Sequence, residues 1–168
     1  MKNTEPLTIC IVDDDELFLK SMKYFLQQKI SSAVQINLFQ TGEEFLKNIT
    51  EKKPDVVILD YVLNGFNPHA MDGRSVLRKI KQTNPEMAVI MISGQNRIEV
   101  ALESIREGAY DYVIKNDNVF FKIHATLKNI IKNITTSKRL KKYKLWLTGA
   151  ILFLVVGVGL GMVYKLFL

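Results

Sequence analysis

Asp13, Asp14 and Asp15 stand in a row directly after the apolar run 7–12 (LTICIV), and Asp60 stands directly after another, VVIL. Two further apolar runs, 88–92 and 110–114, end at Ser93 and Lys115. Carboxylates gathered in one place repel one another unless a cation holds them. Oxygen ligands without His or Cys suit a hard ion such as Mg²⁺. A lysine beside them balances part of the remaining charge, and a serine hydroxyl adds a hydrogen bond. Together these groups supply a nucleophile, a metal site, a cation and a hydroxyl donor, which is what holding a phosphoryl group on a carboxylate requires.

Those residues can meet only if the chain places them at one edge, and the pattern around them predicts that. Runs 7–12, 34–39, 56–59, 88–92 and 110–114 read as five strands, short and apolar or alternating. Between them, Leu17, Leu19, Met22, Phe25 and Leu26 recur at near-helical spacing after Asp15, a helix cap, with Glu16 in the first turn. Residues 41–49, 72–83 and 98–107 predict three more helices, and a fifth begins near Val119 with Ile123, Leu127, Ile130, Ile131 and Ile134 apolar. Strands alternating with helices predict an α/β fold in which a five-stranded parallel sheet is covered on both faces. In such sheets the functional groups collect at the carboxyl ends of the strands. The single cysteine, Cys10, excludes an internal disulfide and reads as a reduced core residue.

Charge divides the chain. Residues 1–127 hold all 17 acidic side chains and 15 basic ones, whereas 128–168 hold 8 basic side chains and no acid. A uniformly basic nucleic-acid binder is not the pattern. The domain is expected over 1–134, a basic linker over 135–144, and a transmembrane helix over 145–165. From Leu145 to Tyr164 there is no charge, and about 20 such residues match the thickness of a bilayer's hydrocarbon. The lysines and arginine upstream then predict a cytoplasmic domain on a single-pass inner-membrane anchor, with anionic lipid near the basic flank. Gly157 and Gly161 have the spacing of a helix-pairing face, so a homodimer is an accompanying expectation.

The acidic cluster in IVDDDE, VVILD, MDG at the third helix, ISG and YVIK occur in that order over about residues 1–130. In this the chain resembles the receiver domain of two-component response regulators. The resemblance implies a flavodoxin-like (βα)5 sheet of order 2-1-3-4-5. It implies Asp60 as phosphoacceptor, and Asp13, Asp14, Asp60 and the backbone carbonyl of Val62 as ligands of Mg²⁺. Ser93 would bond a phosphoryl oxygen, Lys115 would pair with it, and Tyr112 would be the switch aromatic that turns inward. A histidine kinase or phosphotransfer protein would be the donor, and the protein would catalyse only its own phosphotransfer and dephosphorylation. Output would pass through protein contacts, with no nucleic acid. A receiver-like adaptor at the membrane that takes no phosphoryl group is the alternative. Two departures bear on that choice: the stretch from Tyr61 to Asp72 is longer than usual in the family, and Asn116 stands where proline commonly follows the lysine. A non-proline cis bond costs about 2.5–4 kcal/mol, so a trans bond, or a strained exception, is expected there.

Overall fold

The computed structural model describes residues 6–30, 34–63, 70–94 and 98–166, with side chains up to 149 except at 138, 139, 141, 142, 144 and 145. It contains five strands, β1 (Leu7–Val12), β2 (Val34–Phe39), β3 (Val56–Asp60), β4 (Ala88–Ser93) and β5 (Asp111–Ile114). Five helices alternate with them: α1 (Glu16–Lys29), α2 (Gly42–Lys52), α3 (Gly73–Thr83), α4 (Ile98–Arg106) and α5 (Val119–Leu166). The sheet is parallel throughout, in the order β2-β1-β3-β4-β5. This is the α/β arrangement expected from the sequence.

Strand β3 lies at the centre, and all five of its residues are buried because helices cover both faces. Alternate side chains then feed two cores. One contains Cys10, Val12, Val57, Leu59, Val89 and Met91 against Phe45 of α2 and Val76, Leu77 and Ile80 of α3. Their alternates on the strands, Ile9, Ile11, Ile58, Ile90 and Ile92, are fully buried too. Burial drives the Cys10 thiol up to about 12, so it stays a protonated core group.

Local signals start and stop the helices. Asp15 accepts from the N–H groups of Leu17 and Phe18, Thr41 from that of Glu44, and Asp72 from that of Ser75, each cap contributing about 1 kcal/mol. Lys53 closes α2 in a left-handed conformation at φ 44°, just before Pro54. Gly108, at φ 98°, turns the chain after α4. Arg74 of α3 pairs with Glu103 of α4 and with Glu107, and Arg78 joins Glu107 at 2.6 Å.

The chain divides into two compact units, Met1–Lys128 and Asn129–Leu168, and α5 begins in the first and makes up the second to Leu166. Among the described residues, no helix is long and apolar enough to cross a membrane. That finding overturns the expected anchor over 145–165, and with it the inner-membrane location and the lipid contacts. A span needs about 20 consecutive apolar residues. The described part of α5 is broken by Lys122, Lys128 and Lys132, and only 146–149 of the uncharged run have described side chains. The pairing face at Gly157 and Gly161 lies outside the described side chains.

Candidate functional site

The parallel register brings the expected residues to one edge. Val12 of β1 lies beside Leu59 of β3, Asp60 beside Ile92 of β4, and Ser93 beside Ile114 of β5. The ladder runs one residue past the strands. The N–H of Asp13 donates to the Phe39 carbonyl at 3.1 Å, that of Tyr61 to Ile92 at 2.8 Å, and that of Lys115 to Ser93 at 2.8 Å. Asp13, Asp60, Ser93 and Lys115 are therefore set by main-chain bonds of the sheet rather than by loops.

Carboxylate oxygens of Asp13, Asp14 and Asp60 lie within 4.8 Å of one another. The Lys115 ammonium bridges two of them, 2.7 Å from Asp13 Oδ2 and 2.8 Å from Asp60 Oδ2. Asp13 is fully buried and Asp60 nearly so, while Asp14 is half-buried. The other oxygen of Asp13 accepts from the N–H of Asp15 at 3.0 Å, and the Asp60 carboxylate accepts from the N–H of Val62. Val62 itself is exposed, and Ser93 is fully buried at the end of β4. Tyr112 is half-buried and packs against the core, lining a cavity of ≈ 590 Å³ with Leu102 and Ile105 of α4 and Thr126 of α5. Among the described residues there is no cis peptide bond, so the bond from Lys115 to Asn116 is trans as expected. Of the long stretch 61–72, residues 64–69 lie outside the described residues; Met71 beyond them donates its N–H to Glu43 at 2.7 Å.

Electrostatics follow from that crowding. Burial raises Asp13 to about 6, outweighing its hydrogen bond with Lys115, and the neighbouring Asp60 adds to the rise. Burial raises Asp60 as well, although Lys115 and the Val62 N–H oppose it. For Lys115, burial works to depress the ammonium, but its bonds to Asp13 and Asp60 win and hold it above its ordinary value. Three carboxylates face one ammonium, all donors are oxygens, and the excess charge is negative. That donor set fits a hard divalent cation such as Mg²⁺.

A pH dependence follows. A carboxyl raised in the folded state binds its proton more tightly than in the unfolded chain. The stability it contributes is full below 3.8 and lost as pH rises through about 6. Metal-free protein is therefore expected to lose melting temperature over that interval. Mg²⁺ competes with the same proton, so its affinity runs the other way, rising by up to about tenfold per pH unit below 6 and levelling above about 7. Calorimetric Mg²⁺ titrations from pH 5 to 7.5 read this directly, and a flat affinity would refute it.

One contact was not foreseen from the sequence. The Phe18 ring of α1 lies under Lys115, with Nζ 4.8 Å from the ring centroid. Nothing in its local sequence marks it, since it falls among the apolar residues of an ordinary amphipathic helix. Asp15, by contrast, is the expected cap, and its acceptor bond to the Phe18 N–H is part of what sets that ring in place.

The receiver-domain reading is supported independently. The family described as response regulator receiver domain matches residues 9–123. The chain belongs to the response regulator receiver domain family, whose members are phosphoacceptors in two-component signalling and bind Mg²⁺ at an acidic pocket of this kind. Over 106 residues it is 33% identical to the DNA-binding transcriptional regulator NtrC of Klebsiella pneumoniae, covering 62% of this chain and 21% of that protein. Over 113 residues it is 38% identical to an NtrX-like response regulator of Rickettsia bellii, covering 67% of this chain and 22% of that one. The chain thus spans about a fifth of the length of these curated relatives. Among solved structures, it is similar to the BeF3-activated DrrB receiver domain, at 34% identity and a TM-score of 0.63, covering 76% of this chain and 99% of that one. It is also similar to the NtrX receiver domain of Brucella abortus, at 30% identity and a TM-score of 0.60, covering 71% and 98%. The expectation that no nucleic acid is involved finds no support, because NtrC is a DNA-binding regulator.

Proposed function

We propose that Asp60 is the phosphoacceptor of this receiver domain. A carboxylate oxygen of Asp60 attacks the phosphorus of a phosphohistidine on a histidine kinase or phosphotransfer protein. The new O–P bond forms as the N–P bond breaks, and the imidazole keeps the electron pair and takes up a proton. Asp13, Asp14, Asp60 and the Val62 carbonyl would hold Mg²⁺, which supplies charge neutralisation at the phosphoryl oxygens. The chain's own groups do the rest. Lys115 moves from the Asp60 carboxylate to a phosphoryl oxygen, Ser93 donates its hydroxyl to another, and Asp13 keeps the lysine in place. The protein acts on no separate substrate and catalyses only the gain and loss of its own phosphoryl group.

The observation that carries this proposal is the Lys115 ammonium held between buried Asp13 and Asp60 in a cluster of three carboxylates. Its output would be a change of protein contacts at the surface of α4, β5 and α5. Ser93 and Tyr112 stand on adjacent strands there, and Tyr112 borders the cavity against α4. A phosphoryl group that draws Ser93 toward it favours one of two arrangements of that surface.

The test is to incubate the intact chain with Mg²⁺ and acetyl phosphate. The expected result is a mass gain of one phosphoryl group, located on Asp60 by borohydride trapping and peptide mapping. Unchanged mass would overturn the proposal in favour of an adaptor. Consumption of donor without accumulation would point to a hydrolase.

A further inference from the structure

We propose that Phe18 is a positioning residue for phosphoryl transfer: its ring face seats the Lys115 ammonium over the acceptor carboxylate. This inference rests on the role of Lys115 given above.

An ammonium has three N–H donors. At Lys115 one donates to Asp60 Oδ2, Asp13 Oδ2 forms an ion pair with Nζ at 2.7 Å, and Nζ also stands over the Phe18 ring, 4.8 Å from its centroid. That is within the roughly 6 Å over which a ring face attracts a cation. The surroundings are partly dry, since the lysine side chain is only 22% exposed.

The ring is itself braced. Asp15 fixes the backbone of Phe18 by capping α1. The ring makes a T-shaped pair with Phe120, centroids 5.5 Å apart and planes at 66°, and Phe120 packs on Phe25 at 5.5 Å. Phe120 lies in the first turn of α5, five residues after Lys115, so the stack ties α1 to the segment that carries the lysine. That segment needs a tie. Residues 116–118 are exposed, Asn116 stands where the family commonly has proline, and the bond before it is trans. A lysine on a four-carbon stem at such a turn could swing toward solvent. The pull of a ring face is also less directional than a carboxylate bond. It can therefore keep the ammonium close while Nζ exchanges Asp60 Oδ2 for a phosphoryl oxygen.

The experiment compares wild type, Phe18→Leu and Phe18→Tyr as intact chains, with melting curves to establish folding. It adds a series bearing one to three ring fluorines at position 18, which drain the ring face of negative charge at nearly constant size. With Mg²⁺ and saturating acetyl phosphate, Phe18→Leu is expected to be modified about five- to thirty-fold more slowly, the range of a partly desolvated cation–ring contact. Phe18→Tyr should recover the rate, and the fluorinated chains should fall stepwise. In metal-free wild type, the Lys115 Hε protons should resonate upfield under the ring current. Wild-type rates in Phe18→Leu would overturn the inference. So would a slow Phe18→Leu with no dependence on fluorination, because the ring would then be a filler only. Unshifted Hε resonances would overturn it as well. A wild type that accepts no phosphoryl group would instead defeat the assignment of Asp60, and this inference with it.

Discussion

An Asp60→Asn chain is expected to gain no phosphoryl mass under conditions that fully modify the wild type, and yet to fold at least as stably in metal-free buffer at neutral pH. The amide oxygen is a poor nucleophile toward phosphorus, but it keeps the shape of the side chain. Its single acceptor oxygen can still take the Lys115 hydrogen bond, and the lysine keeps its ion pair with Asp13. What the pocket loses is a carboxylate whose charge burial opposes. Asp60 is also one of the groups that raise Asp13, so Asp13 should titrate closer to its ordinary value in the variant. Mg²⁺ should bind at least about tenfold more weakly, a loss typical even of groups one shell removed from a metal. Mass spectrometry after acetyl phosphate, melting curves without metal and calorimetric Mg²⁺ titration check the three parts separately. A variant modified as fast as wild type would remove Asp60 from the reaction. One that melts well below wild type would show the carboxylate to be structural.

Gly73→Ala is expected to be the most damaging single methyl that can be added near the site. A Cβ there would stand 1.8 Å from the Asp60 carbonyl oxygen, 2.8 Å from its carbon and 2.9 Å from the Tyr61 Cα. All three atoms are backbone, so no rotamer relieves the overlap. Gly73 also donates its N–H to the Tyr61 carbonyl at 3.1 Å, which fixes the close approach of α3 to the end of β3. Relief requires that α3 or the acceptor strand move. Overpacking of this kind costs about 3 kcal/mol or more, a fall of roughly 10 °C in melting temperature for a domain of this size. The displaced atoms belong to Asp60 and Tyr61, so Mg²⁺ affinity should fall with stability. An unchanged melting temperature would refute the prediction. The glycine of the MDG motif is thus a matter of backbone proximity to the acceptor.

The order of strands and helices was legible because each segment carries its own period and its own cap. The apolar runs 7–12 and 88–92 read as buried strands, and Asp15, Thr41 and Asp72 mark three helix starts. Asp13, Asp14, Asp60, Ser93 and Lys115 were legible as candidates because they end strands of a parallel sheet, where such a fold gathers its chemistry. The uncharged run from Leu145 suggested a membrane anchor by length and composition alone, and among the described residues no helix is long and apolar enough to cross a membrane. Local patterns carry no record of which strands become neighbours. Only the assembled sheet, with β1 next to β3 and β5 next to β4, brings the carboxylates of Asp13 and Asp60 within 2.8 Å of the Lys115 ammonium. Only the packing of α1 beside the start of α5 sets Phe18 under that ammonium. Contacts between residues so far apart in the chain depend on topology and side-chain packing, which no window of sequence contains.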